Sequence, residues 1–142
     1  MSVKQLSVFA ENKSGSLYEI TKILADADID LRAFSVADTQ SYGVLRLIVN
    51  DPRKAAFALS EAEKIVNVTD VIGVQIPDSK GGLAELLAEV TKKNIFIEYL
   101  YAFTAPSAGH AYVVMKVAAD LSETEALLSA DGFTLISADD IR

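Results

Sequence analysis

The stretch VFAENKSGSLYEI, Val8 to Ile20, returns as VQIPDSKGGLAEL, Val74 to Leu86, and this pair of segments decides the fold. Gly15 falls on Gly81 and Leu17 on Leu83, an offset of 81 − 15 = 66 residues. The same offset carries Ile29 onto Ile95, Leu31 onto Ile97, Ser41 onto Ser107 and Gly43 onto Gly109. Like residue types meeting at one offset over about thirty residues indicate one small unit used twice. The division this implies is 1–69 and 70–142, and each half alone would bury only a marginal core.

Working outward, Val3 to Ala10 is rich in β-forming residues and runs into the polar ENKSG, a strand followed by a loop. Leu17, Ile20, Ile23, Leu24 and Ala27 form a stripe of helical period, predicting a helix from about Gly15 to Asp28, with Ser16 and Glu19 at capping-box spacing. Ile29–Thr39 and Val44–Asn50 predict a hairpin around QSYG. Asp51 as N-cap and Pro52 at the first helical position start a second helix that runs to about Lys64. Ile65 to Asp78 is long enough for two short strands, one closing the first unit and one opening the second.

The second copy reads alike: helix GGLAELLAEVTKKN, strand Ile95–Thr104, turn APSAG and strand His110–Ala118. A short helix, Ser122–Gly132, then ends where Gly132 suits a left-handed cap, and FTLISADDIR closes the chain as a strand and tail. Two β-α-β-β-α-β units predict an α+β fold: two ferredoxin-like units docked side by side into one extended, eight-stranded antiparallel sheet with the helices on one face. No linker rich in Pro, Gly or Ser separates them.

The chain has 142 residues, 51% of them hydrophobic and 23% charged, with a net charge of −7. The apolar surplus suits an oligomer interface, so at least a dimer is expected. The negative field disfavours nucleic acid and anionic membrane as partners. With no cysteine there is no disulfide framework, thiolate metal site or cysteine nucleophile. The N-terminal MSVKQLSVFAENK lacks the apolar run of a signal peptide or membrane span, which makes the cytoplasm the expected compartment.

Catalytic constellations are missing. His110, the single histidine, opens an apolar strand and is read as a strand-edge residue rather than a general base or metal ligand. No GxSxG presents a nucleophilic serine, and no carboxylate and histidine cluster has metal-ligand spacing. Asp139 and Asp140 read as a solvated tail, and Arg46, inside VLRLIV, as facing solvent by alternation. KSGSL and KGGL match neither the P-loop nor the dinucleotide fingerprint. Each instead leads backbone N–H groups into a helix N-terminus, an arrangement suited to a carboxylate, though a plain turn accounts for either glycine alone. Lys13 and Lys80 are loop charges that read as solubilising. Tyr99, Tyr101 and Phe103 share one face of a strand with Ile95 and Ile97, either as packing or as a pocket wall whose hydroxyls orient a small ligand.

ENKSGSL, between a strand and a helix, resembles the ACT-domain signature, and PDSKGGL matches it a second time at Asp78, Gly81 or Gly82 and Leu83. KQLSVFAENKSG, ADTQSYGVLRLIV, TDVIGV and FIEYLYAF are similar to the small tandem-ACT proteins of bacteria. The resemblance implies a domain that binds a free amino acid or similar small molecule, commonly at the interface between two ACT units, and thereby regulates an enzyme or transcription factor. By position it implies a binding loop of Asn12, Lys13, Ser14, Gly15, Ser16 and Leu17, copied as Asp78, Ser79, Lys80, Gly81, Gly82 and Leu83. Ser14 and Lys80 stand where the family often has proline, and Asn12 where an aspartate is frequent, so an amide oxygen takes the place of a carboxylate toward a ligand's ammonium.

The expected function is therefore a non-catalytic, amino-acid-binding regulatory sensor that holds its ligand at the seam between ACT units, needs no cofactor or metal and is coupled to a separate effector. The alternative is a ligand-free interaction or regulatory subunit of a metabolic enzyme. A small enzyme and a nucleic-acid-binding ferredoxin-like module rank below both, the latter because it calls for a basic face.

Overall fold

In the computed structural model, residues 2–38 and 42–141 are described. The elements are β1 (Val3–Glu11), α1 (Ser16–Asp26), β2 (Leu31–Asp38), β3 (Tyr42–Val49), α2 (Pro52–Glu61), β4 (Val66–Pro77), α3 (Gly82–Lys92), β5 (Ile97–Thr104), β6 (His110–Val117), α4 (Leu121–Ala130), β7 (Thr134–Ile136) and α5 (Ala138–Ile141). Two compact units result, one of residues 4–69 with Ile141, the other of 70–140 with the first residues of the chain. None of the helices among the described residues is long and apolar enough to cross a membrane.

The first unit has the strand order β2-β3-β1-β4 and the second β7-β4-β6-β5, the ferredoxin-like arrangement in both. Sequence reading splits Ile65–Asp78 into two strands; it is one strand, β4, common to both orders, so among the described residues seven strands stand where eight were expected. Gly73 serves a close approach: a Cβ there would lie 2.2 Å from Ile136 Cγ1.

Both helices of each unit lie on one face of its sheet. In the first, Ile20 and Leu24 of α1 and Ala55 and Leu59 of α2 close over Leu6, Val8, Leu45 and Leu47. In the second, Leu86, Val90 and Leu128 close over Ile72, Val74, Val113 and Met115. Burying each of these side chains except that of Ala55 stabilises the fold by about 1.5–3 kcal/mol.

Helix ends follow one rule. The residue after each C-cap is left-handed, at Asp28 (φ 59°), Glu63 (φ 63°), Asn94 (φ 55°) and Gly132 (φ 91°). The next N–H reaches back five residues, Ile29 to Leu24 O, Lys64 to Leu59 O, Ile95 to Val90 O and Phe133 to Leu128 O. These are Schellman ends, and they stop α1 and α2 two or three residues before the predicted Asp28 and Lys64.

The N-termini divide into two kinds. Asp51 and Asp120 cap α2 and α4, accepting from Lys54 N at 3.2 Å and Glu123 N at 2.9 Å. α1 and α3 start instead at left-handed Gly15 (φ 91°) and Gly81 (φ 88°), with no side-chain cap. The predicted capping box at Ser16 and Glu19 does not form, because Gly15 holds the N-cap position and Ser16 is already in the first turn.

The repeat holds at 66 residues through the first hairpin strand: Asp28 and Asn94 are both left-handed, and both β2 and β5 carry a register shift, between Leu31 and Ala33 and between Ile97 and Tyr99. It then changes. β3 opens at Tyr42 and β6 at His110, an offset of 110 − 42 = 68, so the second hairpin is longer by two residues. Gly43 pairs with Ala10, and its counterpart by register is Ala111, not Gly109. Gln40 and Ser41 of the QSYG turn lie outside the described residues.

The shift at Ile97 and Tyr99 also corrects the face assignment in β5. Ile95 and Ile97 pack on the helix side, whereas Tyr101 pairs with Val114 and Phe103 with Tyr112 on the other side. Arg46 lies on the corresponding face of the first sheet, half-buried between Ser7 and Ser35. The tail forms α5, where Asp140 accepts from Ser137 N at 2.7 Å and is not simply solvated.

Candidate functional site: the loop before the first helix

Three rows of side chains cross the helix side of the first sheet. Leu6, Leu47 and Phe34 form one, Val8, Leu45 and Val36 the next, and Ala10, Gly43 and Asp38 the last. The side chains shrink toward the end where β1 leaves for the loop. Gly43 puts nothing in the centre of the last row, and space opens there beneath the N-terminus of α1.

That space is a cavity of about 320 Å³, lined by Ala10, Glu11, Asn12, Lys13, Ser14, Ser16, Leu17, Val36, Asp38 and Gly43. Five of the six expected loop residues thus share one wall, and the sixth, Gly15, makes the turn that lets α1 begin over it. The loop is a tight one: Lys13 N donates to Glu11 O at 2.9 Å and Ser16 N to Lys13 O at 3.4 Å. Above the cavity the first turn of α1 carries no side-chain cap, so the N–H groups of Leu17 and Tyr18 and the positive end of the helix dipole face that end for an anion.

Ser16 is 7% exposed, and its Oγ is buried without a hydrogen-bond partner. It stands between this cavity and a smaller one of about 120 Å³ bordered by Phe9, Glu19, Ile20, Lys64 and Ile65. There Lys64 Nζ lies 2.8 Å from Glu19, and this hydrogen bond and charge hold the Glu19 carboxyl below its ordinary pKa. Lys13 pairs with Glu11 at 3.2 Å in solvent, which contributes little.

The second loop is built differently. Gly81 makes the same left-handed turn, and Gly82 N donates to Ser79 O at 3.1 Å. Asp78 N donates to Gly109 O at 2.8 Å, tying the loop to its own hairpin turn. A Cβ on Gly82 would lie 2.3 Å from Pro77 O, so strand end and helix start touch there. Lys80 stands in this loop between Ser79 and Gly81, and Leu83 is partly exposed. Tyr101 lies on the sheet face opposite α3 and α4, as does Tyr99, opposite Lys116, so neither is brought to the helix side of the second loop. His110 Nδ1 sits 3.3 Å from both Ser107 Oγ and Ala108 O, within the hairpin turn.

Sequence reading missed Ala10, Glu11, Val36, Asp38 and Gly43. The signal for Asp38 and Gly43 was available in the predicted element order, which sets β3 between β1 and β2, but register across strands is needed to align them with Ala10.

Among solved structures the chain is similar to the protein BT0572 from Bacteroides thetaiotaomicron, 39% identical over 99% of this chain and 96% of that one, with a TM-score of 0.91. It shares its fold with the regulatory subunit of aspartate kinase from Thermus thermophilus in a ligand-free form, at 18% identity over 89% of this chain and 88% of that one, TM-score 0.65. The corresponding subunit from Thermus flavus, at 17% identity over 89% and 88%, gives a TM-score of 0.60. No curated protein matches by sequence. A family model described as an ACT domain pair matches residues 1–138, and the chain belongs to that family.

Proposed function

We propose that the chain is a non-catalytic, amino-acid-binding regulatory protein, acting in the cytoplasm on a separate effector such as a metabolic enzyme. One observation carries the reading: an uncapped helix N-terminus and a buried, unpartnered serine hydroxyl border a cavity whose lining also includes a carboxylate, Asp38. A zwitterion fits that polarity. Its carboxylate goes to the first-turn N–H groups of α1, and its ammonium to Asp38 and the amide oxygen of Asn12. Occupancy that favours one arrangement of the chain over another is what a partner reads. The likeness to proteins named as regulatory subunits of aspartate kinase supports a regulated enzyme as the effector.

Thermal melts with each of the twenty amino acids test this. One or two of them, at about a hundredfold excess over Kd, are expected to raise Tm by roughly 5–10 °C. No shift with any at millimolar concentration rejects the reading.

A second reading, an interaction subunit with empty loops, draws on an apolar groove of about 240 Å³ between α1 and the edge strand β2. Leu17, Tyr18, Phe34 and Val36 line it, with Phe34 70% exposed. In the sensor reading the same flank accommodates the expected homodimer.

A further inference from the structure

We infer that of the two copied loops only the first takes a ligand, and that the last row of side chains under each loop decides this; the inference rests on the reading of the chain as an amino-acid binder. The row in the first unit is Ala10, Gly43 and Asp38. By register, its counterpart in the second is Ile76, Ala111 and Thr104. Every position changes in the direction that removes a site. Ile76 fills what Ala10 leaves empty, Ala111 puts a methyl where Gly43 has none, and neutral Thr104 replaces the carboxylate that would face an ammonium.

The loop itself agrees with the floor. Gly82 stands where the first loop has Ser16, and no side chain fits there, because Pro77 O occupies the position a Cβ would need. The second loop therefore lacks the hydroxyl, and the row beneath it carries larger side chains at Ile76 and Ala111. Its Asp78 N–H is engaged by Gly109 O at 2.8 Å. α3 is as uncapped as α1, so the helix end alone does not separate the loops; the row of side chains beneath it does. The ligand class is a small α-amino acid, with Val36 and Leu17 as the apolar wall for a short aliphatic side chain.

Amide NMR titration of the whole chain with each of the twenty amino acids, joined to calorimetry on the one that binds, tests the inference. The expected result is shifts confined to residues 11–17, Asp38 and Gly43, with one ligand per chain. Asp38→Asn, at an exposed position, weakens binding about tenfold or more, and Asp78→Ala leaves Kd within about twofold. The double variant Ala10→Ile with Gly43→Ala, which copies the second floor into the first unit, abolishes binding. Two ligands per chain, or a loss on Asp78→Ala equal to that on Asp38→Asn, overturns the inference and leaves the amino-acid reading standing. No shift with any amino acid overturns both.

Discussion

Ser16 shows how a residue is set by what lies one position before it. With Gly15 as N-cap, the Ser16 hydroxyl cannot serve the helix, and it is buried with no partner. A buried polar group left unsatisfied costs about 1–3 kcal/mol, which a bound carboxylate would recover. Ser16→Ala is therefore expected to hold or raise the stability of the ligand-free protein while weakening amino-acid binding about tenfold. Urea denaturation and calorimetry on the same preparation check the two signs, and a variant that loses stability and keeps its affinity contradicts the role. Sequence reading located Ser16 but gave it the wrong task, since capping-box spacing does not say which residue takes the N-cap. Asp38 was missed for a different reason: it lies 38 − 10 = 28 residues after Ala10, and only strand pairing through Gly43 places the two in one row.

The longer helices share one kind of C-terminus and two kinds of N-terminus. Three of the four left-handed terminators are not glycine, and Glu63 is the least suited of them, since Asp and Asn adopt that conformation more readily. Glu63→Gly is expected to stabilise the protein by about 0.5–1 kcal/mol, the relief of strain exceeding the added chain entropy, as read from urea midpoints. A destabilised variant would mean that the Glu63 side chain does more than end α2. Asp51, Pro52 and Gly132 took the roles their residue types predict, because caps are local chemistry. β4 did not, because whether Gly73 bends a strand or lets another chain segment approach depends on Ile136, far away in sequence.

For the molecule as a whole, the apolar flank of α1 and β2 is the feature with no local explanation. Phe34 lies in a row with Leu6 and Leu47 on the helix side, yet α1 does not reach it and it stays 70% exposed. If that flank is where two copies meet, Phe34→Glu is expected to turn a dimer into a monomer by analytical ultracentrifugation with little change in secondary structure. A wild-type monomer, or a variant that stays dimeric, rejects this place for the interface. The chain's own sequence determined the doubled ferredoxin-like fold, the loop before α1 and the family, because the periods of strand and helix, the turn glycines and the capping residues act over a few positions. The tertiary structure decided that the two copies differ: the fusion of two expected strands into β4, the 68-residue offset after the second hairpin turn, and the unequal floors under the copied loops. Those depend on which residues of distant strands stand opposite one another, and a single-sequence repeat does not contain that register.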